Sequence, residues 1–129
     1  MSGILGSARP VGIICTRDRE RATPFYRDTL GLDLAKEDHF AAVFEAGGIS
    51  IRLSTVPDWT PHPHTVMGFV VDDIAATAKA LAANGVTFNI YQGFNQDALG
   101  VWTSPDKSAR VAWFKDPDGN VLSITQFAA

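Results

Sequence analysis

The sequence predicts an α+β fold made of two βαβββ modules, and three observations predict it. Both halves open on a short apolar strand that leads into a helical stretch closed by glycine. Both halves end on a strand, a glycine-containing turn and a strand: Gly47-Gly48 lies between AAVF and ISIRLS, and Asp118-Gly119 between VAWF and VLSIT. The two closing strands alternate apolar and polar residues with period two, as a sheet with one covered face requires.

Taken in order, Val11 to Thr16 reads as a strand because Val11, Ile13 and Ile14 are β-branched and the run is bounded by Pro10 and Asp18. Asp18 is a candidate N-cap, and Phe25, Tyr26 and Leu30 keep helical spacing up to Gly31, a residue able to take the left-handed conformation that closes a helix. Thr23-Pro24 is a second candidate start, since proline suits a first helical turn; otherwise it perturbs the helix by removing a backbone donor. In the second half Val66 to Val71 is the strand and Asp72 or Asp73 the cap. Ile74, Ala78, Leu81 and Ala82 form an apolar stripe that ends near Asn84-Gly85. Asp116-Pro117-Asp118-Gly119 reads as a turn rather than a pair of catalytic carboxylates, because proline and glycine fix the backbone there. Phe25, Tyr26, Phe69 and Phe114 are assigned to the core.

The modules span about 8–56 and 64–127 of a single domain, 1–129, joined by the proline-rich linker 57–63. Equivalent positions lie further apart at the last strands (Arg52 to Ser123) than at the first (Val11 to Val66), which places an insertion mainly in residues 91–108. A chain of 129 residues with 46% apolar content can bury a core unaided, and its single cysteine, Cys15, cannot form an intrachain disulfide. A formal charge of -3 without a Lys/Arg-rich stretch argues against nucleic acid as a partner. No run is long enough to span a bilayer, and MSGILGSARP lacks the basic and apolar regions of a secretion signal, so a cytoplasmic protein without a membrane partner is expected.

Two segments, ATPFYRDTLGLDL at 22–34 and AWFKDPDGNVLSITQF at 112–127, with VVDDIAA supporting them, resemble the glyoxalase / bleomycin-resistance / dioxygenase group, the vicinal oxygen chelate superfamily. The resemblance covers nearly the whole chain. It implies that the two modules form a cupped mixed sheet whose polar faces enclose a small ligand, and that the protein is a homodimer. Metal enzymes of the group place His, Gln or Glu at four strand positions, which fall here on Val11, Arg52, Val66 and Ser123. None is a usual ligand, so no metal and no cofactor is expected.

On that reading Arg52 and Ser123 face one cavity. The Arg52 guanidinium is a candidate for binding a carboxylate, phosphate or enolate oxygen, against the competing reading of a rim arginine paired with a surface acid. Ser50, Ser123 and Thr125 add hydroxyl groups. The resemblance places Phe44, Trp102 and Trp113 near the cup, with Tyr91 and Phe94 in the insertion, and flat rings there would stack on a planar ligand. The function that follows is metal-independent binding, and possible sequestration, of a planar or acidic small molecule. The alternative is a glyoxalase-, isomerase- or dioxygenase-type lyase or oxidoreductase with metal-free chemistry at Arg52, or with a displaced metal on His64, Glu45 or His39.

Overall fold

The computed structural model describes residues 3–128. Eight strands and two helices follow in the order β1 (Val11–Thr16), α1 (Arg19–Pro24), β2 (Asp33–Glu37), β3 (Ala41–Ala46), β4 (Ile49–Thr55), β5 (Thr65–Val70), α2 (Ile74–Ala83), β6 (Trp102–Thr103), β7 (Ala109–Lys115) and β8 (Val121–Phe127). They make two four-stranded mixed sheets with orders β1-β4-β3-β2 and β5-β8-β7-β6. In each, the first strand runs parallel to the last and the remaining pairs are antiparallel. The chain divides into two compact units between Trp59 and Thr60, one βαβββ pattern in each.

In the first unit Asp18 caps α1, its carboxylate accepting from the Arg21 amide at 3.3 Å. Pro24 is therefore interior, and the chain beyond it, Phe25–Thr29, winds as a π-helical turn closed by the Leu30 amide donating to the Phe25 carbonyl at 2.9 Å. A proline ring crowds the preceding turn and supplies no N–H, and a locally widened helix is one way to accommodate both. The helix lays Ala22 and Tyr26 on the sheet face formed by Ile14, Ala42, Phe44, Ile51 and Leu53, all fully buried. The register explains the set: Ile14 and Ala42 flank Leu53, and Phe44 pairs with Ile51, so alternation puts them on one side.

In the second unit Asp73, not Asp72, is the cap, accepting from the Ala76 amide at 3.0 Å. The Ile74 amide is satisfied from across the fold by Gln126 Oε1 at 2.9 Å, which ties the start of α2 to β8. Ile74, Ala78 and Leu81 are buried, as are Ala112, Phe114, Leu122 and Ile124 on the sheet. The core assignment holds for Tyr26 and Phe114, whereas Phe25 and Phe69 are only half-buried. Phe69 lies on β5, an edge strand with few buried side chains. The β7–β8 turn is organised by Asp116: Oδ1 accepts from the Asp118 and Asn120 amides at 3.0 and 2.8 Å, Oδ2 from Asn120 Nδ2 at 2.8 Å, and Gly119 takes φ +95°.

Candidate functional site

The sheet face opposite each helix carries the remaining chemistry, and the two units differ sharply there. In the first unit the face is polar. Arg9, Lys36, Val43, Glu45, Ser50 and Arg52 are among the residues around a pocket of about 430 Å3. Arg52 lies on its wall, but its Nη2 donates to Asp38 Oδ2 at 3.1 Å. Asp38 is set by the β2–β3 connection, where it accepts from the Phe40 and Ala41 amides, both at 2.8 Å. Those two amides are the main reason its carboxyl sits below the ordinary carboxylate range, and Arg52 contributes less. The turn fixes the acid and the arginine comes to it. Ser50 is buried and donates to Glu45 Oε1 at 2.8 Å. The face expected to be solvated is closed at this point by that hydrogen bond. Phe44 is on the other face, its ring 5.9 Å from that of Tyr26 in the core, because Val43 takes the pocket side beside Arg52.

In the second unit the corresponding face is aromatic. Trp102 pairs with Val111 and Trp113 with Ser123, and the insertion folds back to bring Phe94 onto both tryptophans and Tyr91 onto Trp113. Ring centroids are 5.4 Å apart for Tyr91 and Trp113, 5.9 Å for Phe94 and Trp113, and 6.2 Å both for Phe94 and Trp102 and for Trp102 and Trp113. These separations are those of tilted and edge-to-face aromatic contact. Gln96 holds the insertion in place. Its Oε1 accepts from the Tyr91 amide at 2.7 Å and its Nε2 donates to the Asn89 and Gly100 carbonyls at 2.8 Å each. The Asn89 amide then donates to the Trp113 carbonyl at 2.7 Å, fastening the segment to β7. No sequence pattern singles out Gln96, since its partners lie on a folded loop with no periodicity.

Ser123 is buried between Trp113 and β5, where a Cβ at Gly68 would stand 2.9 Å from its Oγ. Below the aromatic group lies a chamber of about 520 Å3 with His62, Asn89, Tyr91, Lys115 and Val121 among its walls. Lys115 escaped the sequence reading, although its place two residues beyond Trp113 on the same strand puts it on the same face.

Residues 8–124 match the family model of the Glyoxalase/Bleomycin resistance protein/Dioxygenase superfamily. The chain belongs to this superfamily. Solved structures with the same fold include a glyoxalase family protein from Bacillus anthracis, at TM-score 0.75 and 16% identity over 95% of this chain and 96% of that one. A superfamily member from Sphaerobacter thermophilus matches at TM-score 0.71 and 22% identity over 93% and 97%. The lactoylglutathione lyase from Agrobacterium tumefaciens matches at 0.71 and 16% over 93% of each chain. No curated protein matches.

The side chains at the four positions that the resemblance assigns to a metal do not suit one. Val11 and Val66 offer no donor atom, Arg52 is a cation already turned to Asp38, and Ser123 offers one neutral hydroxyl. Among the described residues no three His, Cys, Asp or Glu side chains gather at one point, around His64 or elsewhere. Among the described residues no helix is long and apolar enough to cross a membrane.

Proposed function

We propose that this superfamily member is a metal-independent small-molecule binding protein that holds a flat, acidic ligand and sequesters it without chemical turnover. The observation that carries the proposal is the group of four rings, Tyr91, Phe94, Trp102 and Trp113, gathered on the sheet face opposite the second helix. Aromatic walls bind flat molecules through buried apolar area and stacking, and need no ion to do so. Half-exposed Trp102 and more exposed Phe94 form the accessible side of the group, and Ser123 lies behind it. Arg52 and Ser50 line a polar pocket on the first unit. We take the assembly to be a homodimer, a reading supported by the exposed apolar residues on β1 and β5, each at one edge of its sheet, and we take its compartment to be the cytoplasm.

The test uses 1-anilinonaphthalene-8-sulfonate, a flat aromatic anion, as probe. Binding should quench tryptophan fluorescence, and Trp102→Ala should remove much of the response and weaken binding about tenfold, the loss expected for one stacking ring worth roughly 1 kcal/mol or somewhat more. Unchanged titrations in the variant would make Trp102 scaffold. Dialysis against a strong chelator should leave the melting temperature where it was. A stoichiometric divalent ion, lost on dialysis with several degrees of stability and restored on adding it back, would favour an enzyme instead.

A further inference from the structure

We propose that the chamber beneath the aromatic group is an anion-accepting subsite in which Lys115, assisted by His62, receives the acidic substituent of an aromatic ligand. This rests on the small-molecule reading above and names the class of ligand: a flat ring system carrying a carboxylate, sulfonate or similar group.

Four observations converge on it. The volume, about 520 Å3, suits a metabolite-sized group. Its walls include Lys115 and His62 but no carboxylate, and the neighbouring Asp116 spends both oxygens on the Asp118 and Asn120 groups of the turn. Lys115 forms no ion pair among the described residues, so its ammonium has its donors to give. Tyr91 belongs both to the chamber wall and to the ring group, with its own ring 5.4 Å from that of Trp113, so a ligand lying on the rings would present a substituent to the chamber.

The internal repeat sharpens the assignment. Lys115 pairs with Val121, two residues before Ser123; at the equivalent place in the first unit Glu45 pairs with Ser50, two residues before Arg52. One position thus carries opposite charges in the two modules. In the first unit Glu45 lines the pocket and Asp38 engages Arg52, so an anion there meets carboxylates as well as cations. In the second it meets only cationic and neutral groups. The His62 ring lies stacked against that of His64, centroids 5.5 Å apart at an interplanar angle of 24°, with Pro61 and Pro63 on either side of it in the chain. Proline on both sides limits how far that wall can move.

The experiment compares the anion 1-anilinonaphthalene-8-sulfonate with N-phenyl-1-naphthylamine, which has the same rings and no charge, on wild type, Lys115→Met, Lys115→Arg and Arg52→Met. Lys115→Met should weaken the anion about fivefold or more and leave the neutral dye within about twofold, Lys115→Arg should retain most of the anion's affinity, and Arg52→Met should matter less than Lys115→Met. The anion should also shift the Ile90 and Gly119 amide resonances in wild type. Equal loss of both dyes in Lys115→Met, or a discriminating loss only in Arg52→Met, would overturn the subsite while leaving small-molecule binding intact. If wild type binds neither dye, the binding reading falls and the subsite with it.

Discussion

Asp116 illustrates how much one residue of this fold holds. Its carboxylate is buried and accepts three hydrogen bonds from residues that are themselves buried, two of them backbone amides. Removing it strands those donors away from water, where each unmade bond costs more than a made one contributes. Asp116→Ala is expected to lose roughly 2–4 kcal/mol in urea unfolding, and Asp116→Asn, which keeps one acceptor oxygen, clearly less. Equal losses for the two would mean that volume, not hydrogen bonding, decides the position. Arg52 makes the opposite point. Its place on the pocket wall follows from strand alternation, but its partner was set by Asp38, a residue held by amides in a turn fourteen positions away. Both readings of Arg52 were open in the sequence because nothing local encodes which acid arrives.

At the scale of elements, the β5–β8 pair leaves little room between its strands. Gly68 stands opposite Ser123, and a methyl group there would meet Ser123 Oγ at 2.9 Å. Gly68→Ala should cost about 1–2 kcal/mol in the wild-type background through overpacking. In a Ser123→Ala background the obstructing oxygen is gone, and the same change should be neutral or slightly stabilising, since alanine narrows the unfolded ensemble relative to glycine. A double-mutant cycle by chemical denaturation measures the coupling, and a cost that is the same in both backgrounds would refute the packing account. The helices were more legible than their neighbours. Both caps are aspartates placed just before the apolar spacing, and the second stripe is visible in Ile74, Ala78 and Leu81. The second module's second strand was not legible, because β6 has two residues, Trp102–Thr103, and exists only through pairing with β7.

At the scale of the whole molecule, exposed apolar side chains gather on one edge strand of each sheet. β1 and β5 each form one edge of their sheet and carry Val11 at 49% exposure, Ile13 at 63%, Val66 at 38% and Val70 at 72%. Apolar edge strands invite pairing and are usually blunted or covered. Covering these in a homodimer predicts a dimeric mass by light scattering, converted towards monomer by Ile13→Asp with Val70→Asp while the far-ultraviolet circular dichroism is retained. A wild-type chain that stays monomeric on concentration would refute the dimer.

The sequence by itself determined the two-module pattern, the Asp116–Gly119 turn and the donor-poor side chains at the four positions the resemblance assigns to a metal, and it narrowed each helix cap to two candidates. These are local: they rest on periodicity, on turn chemistry and on which atoms a side chain possesses. Tertiary structure decided what stands beside what. In AAVF every residue is apolar, so no alternation tells which face Phe44 takes, and only pairing with Ile51 sends it to the core. Tyr91, Phe94, Trp102 and Trp113 become one surface only because Gln96 and Asn89 fold the insertion back onto β7. Lys115 gains its meaning only when His62, from the linker, joins it in lining one chamber. Such neighbours depend on register and loop closure across long stretches of chain, which no local pattern records.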